Sequence, residues 1–282
     1  MPERLRRARP LLGTLVEIEA RGAGAALALA AAFAAVEQVH QLMSRHSPAS
    51  DIGRLNAAPV GVPVRVDART LRVLELAATL HAASEGAFDC AYGGAADAEP
   101  DVEPDRARDQ PSWSIEGETV LRHGPAQLDL GGIAKGYAVD CAIEAARAAL
   151  AGETLSYLLV NAGGDMRHAG AVPAQVALRD PGAPARTVLA WTLRNAAIAS
   201  SAVGGLTPAR GQAPRIAGRP RSSPLPASAG ASVLAPSCML ADALTKVVLA
   251  AGAPRHPLLA RLGACTLVYG DGTLPAGAIP FS

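Results

Sequence analysis

The amino-acid sequence predicts a mixed α/β (α+β) fold, in which mixed sheets pack against helices. Half of the 282 residues are hydrophobic, which is enough for a sizeable core. Some segments repeat apolar residues at helical spacing, and others are short continuous apolar runs that are typical of buried strands. The two kinds of segment interleave without an internal repeat, so we expect one large domain over residues 1–282.

The elements follow from these patterns in chain order. Helices are predicted over 25–45, over 71–84 with Gly86 as the C′ residue, from Lys135 onwards, and over 237–251. A hairpin is predicted over 120–130. Two polar stretches rich in proline and glycine are predicted loops, an acidic one over 92–111 and a flexible one over 208–229. Strands are predicted over 11–20, 155–162, 175–178, 187–193, 196–201, 231–235 and 262–269.

Composition excludes several classes of function. The net charge of +1 argues against nucleic acid as the main partner. No run of about 18 apolar residues is present, so no membrane span is expected. The basic N-terminus lacks the apolar region of a signal peptide, and we therefore expect a cytoplasmic protein. The four cysteines are widely spaced, which predicts buried free thiols rather than disulfides or a zinc site.

The stretch LDLGGIAKGYAVD, residues 128–140, is the most informative in the chain. An apolar run ends at Asp129, a glycine pair follows, and a helix begins near Lys135. Unpaired backbone N–H groups at such a helix start form a site for phosphate. A lysine there opposes the helix dipole, and this local conflict indicates function. The alternative is that the glycines form only a turn.

A second charged pair lies in the predicted helix CMLADALTKVVLAAG. Asp242 and Lys246 are one helical turn apart, on the same face. A surface ion pair is one interpretation. However, the helix is apolar nearly all round, and a charged pair on a buried helix needs a partner or a ligand.

Six sequence blocks follow one another along the chain: PLLGTLVEI, LMSRHSPASDIGRLN, SEGAFD, LDLGGIAKGYAVD, LVNAGGDMRHAG with VALRDP, and VLAPSCMLADALTKVVLAAG. Together and in this order they resemble the FAD:protein FMN transferase (ApbE-like) family. The resemblance implies FAD binding and transfer of FMN from FAD to a threonine hydroxyl of an acceptor flavoprotein, with release of AMP and with magnesium bridging the diphosphate.

The resemblance also implies site residues. Four of them have a plain alternative: Leu12 and Phe88 as core residues, Gly86 as a helix stop, and His46 as a solvent-facing side chain at a helix end. Asp165 is predicted to hold the Gly-Gly-Asp turn rather than to touch the substrate. The implied metal site consists of the Gly132 carbonyl, Asp242 and Thr245. The implied cofactor-binding residues are Leu12, His46, Gly86, Ala87, Phe88, Asp129 and Lys135.

Two departures from the family pattern bear directly on activity. No histidine lies between Trp191 and Val233, where active members carry one that helps to activate the acceptor. Lys246 stands where those members have a metal-ligand oxygen. A diverged FAD- or nucleotide-binding paralogue with little or no transferase activity is therefore the alternative to a transferase, and an FAD pyrophosphatase is a third interpretation.

Overall fold

The computed structural model describes residues 4–92, 111–150, 152, 155–180, 183–202 and 229–269. The chain folds into two compact units, one formed by residues 1–36 and 135–282 and the other by residues 37–134. We call them unit 1 and unit 2 and describe each by itself.

Within its described residues, unit 1 contains nine strands. They are β1 (Arg4–Leu11), β2 (Thr14–Arg21), β8 (Tyr157–Ala162), β9 (Asp165–Ala169), β10 (Ala174–Asp180), β11 (Ala183–Leu193), β12 (Ala197–Ala202), β13 (Gly230–Ala235) and β14 (Cys265–Tyr269). Seven of them form one sheet in the order β1-β2-β8-β9-β12-β13-β14, and each pair of neighbours is antiparallel. The remaining two, β10 and β11, form a separate antiparallel pair.

The helix α5 (Cys238–Ala251) packs against β12, β13 and β9. Its start is capped by the Ser237 hydroxyl, which accepts a hydrogen bond from the Leu240 amide, and Gly252 ends it in the left-handed conformation. Nearly all of its residues are buried, as the apolar composition predicts. The unit also contains α4 (Ala134–Ala149), which begins at the boundary with unit 2, and the short α6 (Pro257–Arg261).

The described residues of unit 2 form five short strands and the helices α2 and α3, besides the end of α1. Its elements are α2 (Asp51–Ala57), β3 (Val64–Arg65), α3 (Ala68–Ala83), β4 (Ala91–Tyr92), β5 (Trp113–Glu116), β6 (Thr119–Arg122) and β7 (Gln127–Leu128). A three-stranded sheet has the order β3-β6-β5, and β4 pairs with β7. The Arg122 guanidinium is buried and ties α2 to the end of β6, because it donates to the carbonyls of Leu55, Asn56, Ala58 and Ala126.

Helix α1 (Ala25–Met43) runs from unit 1 into unit 2. Its buried residues recur every three or four positions, from Ala25 to Met43, which is the pattern of an amphipathic core helix. By length and composition alone it could span a membrane, although 39% of its apolar window is buried. A core helix of a soluble protein satisfies the same criterion.

The mixed fold class and the longest predicted elements are confirmed. Several element boundaries and the position of the predicted hairpin were wrong. The predicted strand 11–20 begins too early: Leu11 ends β1, Leu12 and Gly13 form the turn, and β2 begins at Thr14. The hairpin is β5–β6, upstream of its predicted position. Gly86 is C″ rather than C′, since its amide bonds to the His81 carbonyl while Glu85 occupies C′. The predicted loop 208–229 falls almost entirely outside the described residues, as does 93–110 of the acidic loop.

None of the four cysteines, all of which lie in described parts of the chain, forms a disulfide, as predicted, but only two of them are buried. Cys90 and Cys238 are buried, and Cys141 and Cys265 are partly exposed. Burial raises the pKa of the Cys238 thiol, and so do the nearby carboxylates of Asp165 and Asp140. A thiol with a raised pKa is a poor nucleophile at neutral pH, which is consistent with a packing role.

Candidate functional site

The junction of α4 and α5 positions the charged residues of unit 1. The Asp140 carboxylate on α4 accepts hydrogen bonds from the backbone N–H groups of Cys238 and Met239, both at 2.9 Å. These groups open α5 and have no partner within that helix, so a carboxylate satisfies them and interacts favourably with the dipole. Arg167 on β9 lies 2.8 Å from the same carboxylate. Asp140 therefore attaches the start of α5 to α4.

Gly136 lets the two helices approach closely. A Cβ atom at this position would lie 2.2 Å from the Cys238 carbonyl oxygen, so no larger residue fits without a shift of the backbone. The Gly136 amide donates to the Oδ2 atom of Asp242 at 3.1 Å. The contact places the middle of α5 beside the first turn of α4.

Lys135 lies between two buried carboxylates. Its Nζ atom is 2.9 Å from Oδ2 of Asp165 and 3.3 Å from Oδ2 of Asp242. The two aspartate side chains are 1% and 0% exposed, whereas that of Lys135 is 23% exposed. Burial opposes the charge of the lysine, but the attraction of both carboxylates outweighs it and raises the pKa of Lys135. The conflict between a lysine and the start of a helix is thus resolved by tertiary contacts.

Asp165 contributes to this cluster rather than to the turn before β9. Asn161 holds that turn, because its Oδ1 atom accepts from the Gly164 amide at 2.9 Å. The prediction that Asp165 holds the Gly-Gly-Asp turn is therefore wrong. Burial raises the pKa of Asp165 to about 6, and repulsion from Asp242 adds to the effect of burial. Its Oδ1 atom has no hydrogen-bond partner among the residues that the structure describes.

Lys246 faces inward and joins the same cluster. Its Nζ atom contacts Oδ1 of Asp242 and donates to the Ser201 hydroxyl at 2.9 Å. The Ser201 and Thr245 hydroxyl oxygens are 2.7 Å apart, and Thr245 donates to the Asp242 carbonyl at 2.7 Å. Since a hydroxyl has one proton, Ser201 must donate to Thr245. The chain of donors runs from the Lys246 ammonium through both hydroxyls to the backbone of α5.

We call Lys135, Asp165, Asp242 and Lys246 the charge cluster. Burial favours the neutral form of Asp242, but the two ammonium groups dominate and lower the pKa of this carboxylate. With both lysines and both aspartates ionised, the formal charges of the cluster cancel. Lys246 was predicted to pair with Asp242, and the pair is buried rather than a surface contact.

In unit 2 a second arrangement positions Asp129. The Asn56 side chain bonds to both the N–H and the carbonyl of Leu128, at 2.8 and 2.9 Å, as a neighbouring strand would. The Asp129 amide donates to the Cys90 carbonyl at 2.8 Å. Its carboxylate lies 3.1 Å from Arg45 and accepts from the Gly131 amide at 2.8 Å. Arg45, which precedes His46, was not identified from the sequence because a lone arginine after a helix gives no signal.

The glycine turn does not present the row of free amides that the sequence predicts. The Gly131 amide is bonded to Asp129, and the amides of Ile133 and Ala134 donate to the Leu130 carbonyl. These three amides are thus engaged, and Lys135 is the positively charged group next to this turn that could bind an anion. Of the three residues of the implied metal site, Gly132 lies in this turn, within unit 2, whereas Asp242 and Thr245 belong to unit 1.

The remaining predicted residues occupy three places. Leu12 is half-buried in the β1–β2 turn with a φ of 56°, a conformation that costs a leucine about 1–2 kcal/mol. His46 is exposed beyond the end of α1, and Gly86 follows α3. Ala87 and Phe88 are buried, which agrees with the alternative that Phe88 is a core residue.

The fold and the cluster together define an α+β protein whose seven-stranded sheet and helices α4 and α5 carry two buried aspartates paired with two partly buried lysines. The sequence profile of the ApbE family matches residues 12–266. This chain therefore belongs to the ApbE family.

Relatives agree with this assignment. The chain is 33% identical over 195 residues to an FAD:protein FMN transferase of Rhodobacter capsulatus, covering 61% of this chain and 36% of that protein. A Vibrio cholerae protein of the same name is 30% identical over 173 residues, covering 54% of this chain and 51% of that protein. The matches thus span about a third and about half of these two relatives.

Solved structures share the fold over nearly the whole chain. The flavinyl transferase ApbE of Pseudomonas stutzeri, in its apo form, superposes with a TM-score of 0.74 at 19% identity, covering 97% of this chain and 93% of that one. The ApbE protein of Thermotoga maritima gives 0.75 at 20% identity, with coverages of 97% and 96%. The flavin transferase ApbE of Vibrio cholerae gives 0.73 at 22% identity, with coverages of 98% and 96%.

Proposed function

We propose that this chain is an FAD:protein FMN transferase, which takes FAD as its substrate and modifies a threonine of an acceptor flavoprotein. Membership of the ApbE family and the names of the two relatives support the proposal. The structural observation that carries it is Lys135, a cation held by two buried carboxylates at the end of a glycine turn. Such a fixed ammonium suits the diphosphate of FAD.

The proposed reaction is a phosphoryl-type transfer. The threonine oxygen forms a bond to the phosphorus of the FMN half, the bond from that phosphorus to the bridging oxygen breaks, and AMP leaves with this oxygen. The hydroxyl proton passes to a base or to solvent. Catalysis of this kind depends mostly on positioning and on neutralising charge.

In the proposed reaction the charge cluster stabilises negative charge, and none of its residues forms a covalent bond to the substrate. Asp165 and Asp242 keep Lys135 ionised and limit where its ammonium can lie. A cation fixed in advance stabilises charge without reorganising during the reaction. In unit 2, Arg45 and Asp129 form a further charged pair, and the family resemblance implies that Asp129 binds the cofactor.

One incubation separates this function from its alternatives. The protein is mixed with FAD, with or without a peptide that carries the acceptor threonine, and the products are analysed by mass spectrometry. A transferase adds FMN less water to the peptide and releases AMP. Release of FMN and AMP without any peptide would indicate a pyrophosphatase, and binding without products would indicate a paralogue that only holds FAD. Either of these two results would contradict the proposal.

A further inference from the structure

Lys246 occupies the place on α5 where the family pattern has an oxygen ligand for magnesium. Its side chain is only 18% exposed, and its ammonium group contacts both Asp242 and Ser201. A lysine that merely tolerated this position could extend its flexible stem into water. Instead, Lys246 points at the carboxylate that a metal ion would need.

The side-chain oxygen atoms expected to bind a metal, those of Asp242 and Thr245, are already engaged. Oδ1 of Asp242 contacts Lys246, and Oδ2 accepts from the Gly136 amide and lies 3.3 Å from Lys135. The Thr245 hydroxyl donates its proton to the Asp242 carbonyl and accepts from Ser201. A divalent ion prefers several oxygen ligands that carry negative charge. These residues, as arranged, do not fit one.

The charges lead to the same conclusion. The two carboxylates of the charge cluster face two ammonium groups, so no net negative charge is left to attract a dication. A dication would also have to lie close to Lys246, which repels it. Displacement of Lys246 would be required before Asp242 could act as a ligand.

We propose that the Lys246 ammonium is a built-in cation that takes the place of the divalent ion in this chain: it cancels the charge of Asp242, which would otherwise leave the cluster with a net charge of −1 that repels the diphosphate of a bound dinucleotide. That the dinucleotide is FAD rests on the proposed function. An ammonium group acts as a point charge and needs no ligand geometry. FAD binding is therefore independent of magnesium in the wild-type protein.

The first test measures metal binding in the absence of FAD. Wild-type protein and Lys246→Thr, which restores an oxygen at this position, are titrated with Mn²⁺, and free Mn²⁺ is followed by electron paramagnetic resonance. We expect the wild type to leave the Mn²⁺ signal unchanged and the variant to bind one ion. A wild-type protein that binds Mn²⁺, and releases it when Asp242 is replaced by Asn, would overturn the proposal.

The second test measures FAD affinity by fluorescence titration, with magnesium and with a chelator. Wild-type affinity should be the same in both. Lys246→Thr should lose affinity in chelator and regain it with magnesium. Lys246→Met keeps the length of the side chain but offers neither charge nor oxygen, so its affinity should be about ten- to a hundredfold weaker in both conditions.

Two outcomes of the second test would overturn the proposal. One is a large loss of wild-type affinity on chelation, and the other is wild-type affinity in Lys246→Met, which would limit Lys246 to a structural contact with Asp242. The wild-type measurements do not depend on a variant folding. If no form of the protein binds FAD, the proposed function fails, while the Mn²⁺ titration still decides whether Lys246 excludes a metal.

Discussion

The amide nitrogen of Gly136 lies 3.1 Å from Oδ2 of Asp242, so the first turn of α4 is hydrogen-bonded to the middle of α5. Only a residue without a Cβ atom permits this distance, because the Cys238 carbonyl occupies the space. The same close approach allows Lys135, next in the chain to Gly136, to reach Asp242. One glycine thus sets the geometry of the charge cluster.

Gly136→Ala should therefore destabilise the protein although alanine is the better helix former. The added methyl group would clash with backbone, and such overpacking costs about 1–3 kcal/mol, against a gain in helix propensity of about 1 kcal/mol. We expect a lower melting temperature together with weaker FAD binding. Gly124→Ala is the matched control, since a Cβ atom there meets nothing within 4 Å. Equal stability of the two variants would contradict the prediction.

Lys135→Ala should weaken FAD binding by roughly ten- to a hundredfold, because a charge-assisted contact contributes about 1.5–3 kcal/mol. Fluorescence titration measures the affinity. The variant also removes the positive charge that pairs with the buried carboxylates of Asp165 and Asp242. Its folding must therefore be checked by circular dichroism. Lys135→Arg retains the charge and serves as the control. Unchanged affinity in a folded Lys135→Ala protein would remove Lys135 from the binding site.

Asp67 should make the stability of the protein depend on pH in acid. Its carboxylate caps α3 by accepting from the Arg69 amide, and it also binds the Arg69 side chain. Hydrogen bonds from Arg69 lower the pKa of Asp67 from 3.8 to about 2. A carboxylate with a lowered pKa stabilises the folded state above the unfolded value, and this contribution disappears as pH falls from 3.8 towards 2.

Urea unfolding over that pH range checks this expectation. At neutral pH, Asp67→Ala should cost about 0.5–2 kcal/mol, as the loss of a helix cap does. Asp67→Asn keeps a capping oxygen but lacks the charge, so the stability difference between it and the wild type should shrink as pH falls towards 2. A difference that stays constant with pH would show that the charge contributes nothing.

Transfer of FMN should be slower than in a family member that carries the expected histidine. A positioned general acid or base contributes about 10²–10⁴-fold to a rate, and no histidine lies between Trp191 and Val233. Both proteins would be assayed with the same acceptor peptide under saturating FAD. Equal rates would mean that another group acts as the base, and Asp165 and His46 would then be the first residues to substitute.

Much of the fold could be predicted because its long elements carry local signals. The nearly all-apolar composition of α5, with Ser237 before it and Gly252 after it, defines a buried helix with both ends. β1 was missed because its arginines resemble an exposed tail. Arg4 and Arg6 pair with Glu19 and Glu17 on β2, and such charges suit the edge strand of a sheet.

The sequence by itself determined the family and the residues that had to be charged, because these depend on local patterns and on their order along the chain. It could not determine that the side chain of Asp165, the first residue of β9, would contact Lys135, or that the Lys246 side chain would point to the interior. Such choices depend on what lies opposite each side chain. Only the antiparallel sheet and the packing of α5 against it bring Asp165, Asp242 and Lys246 within reach of one another's charges.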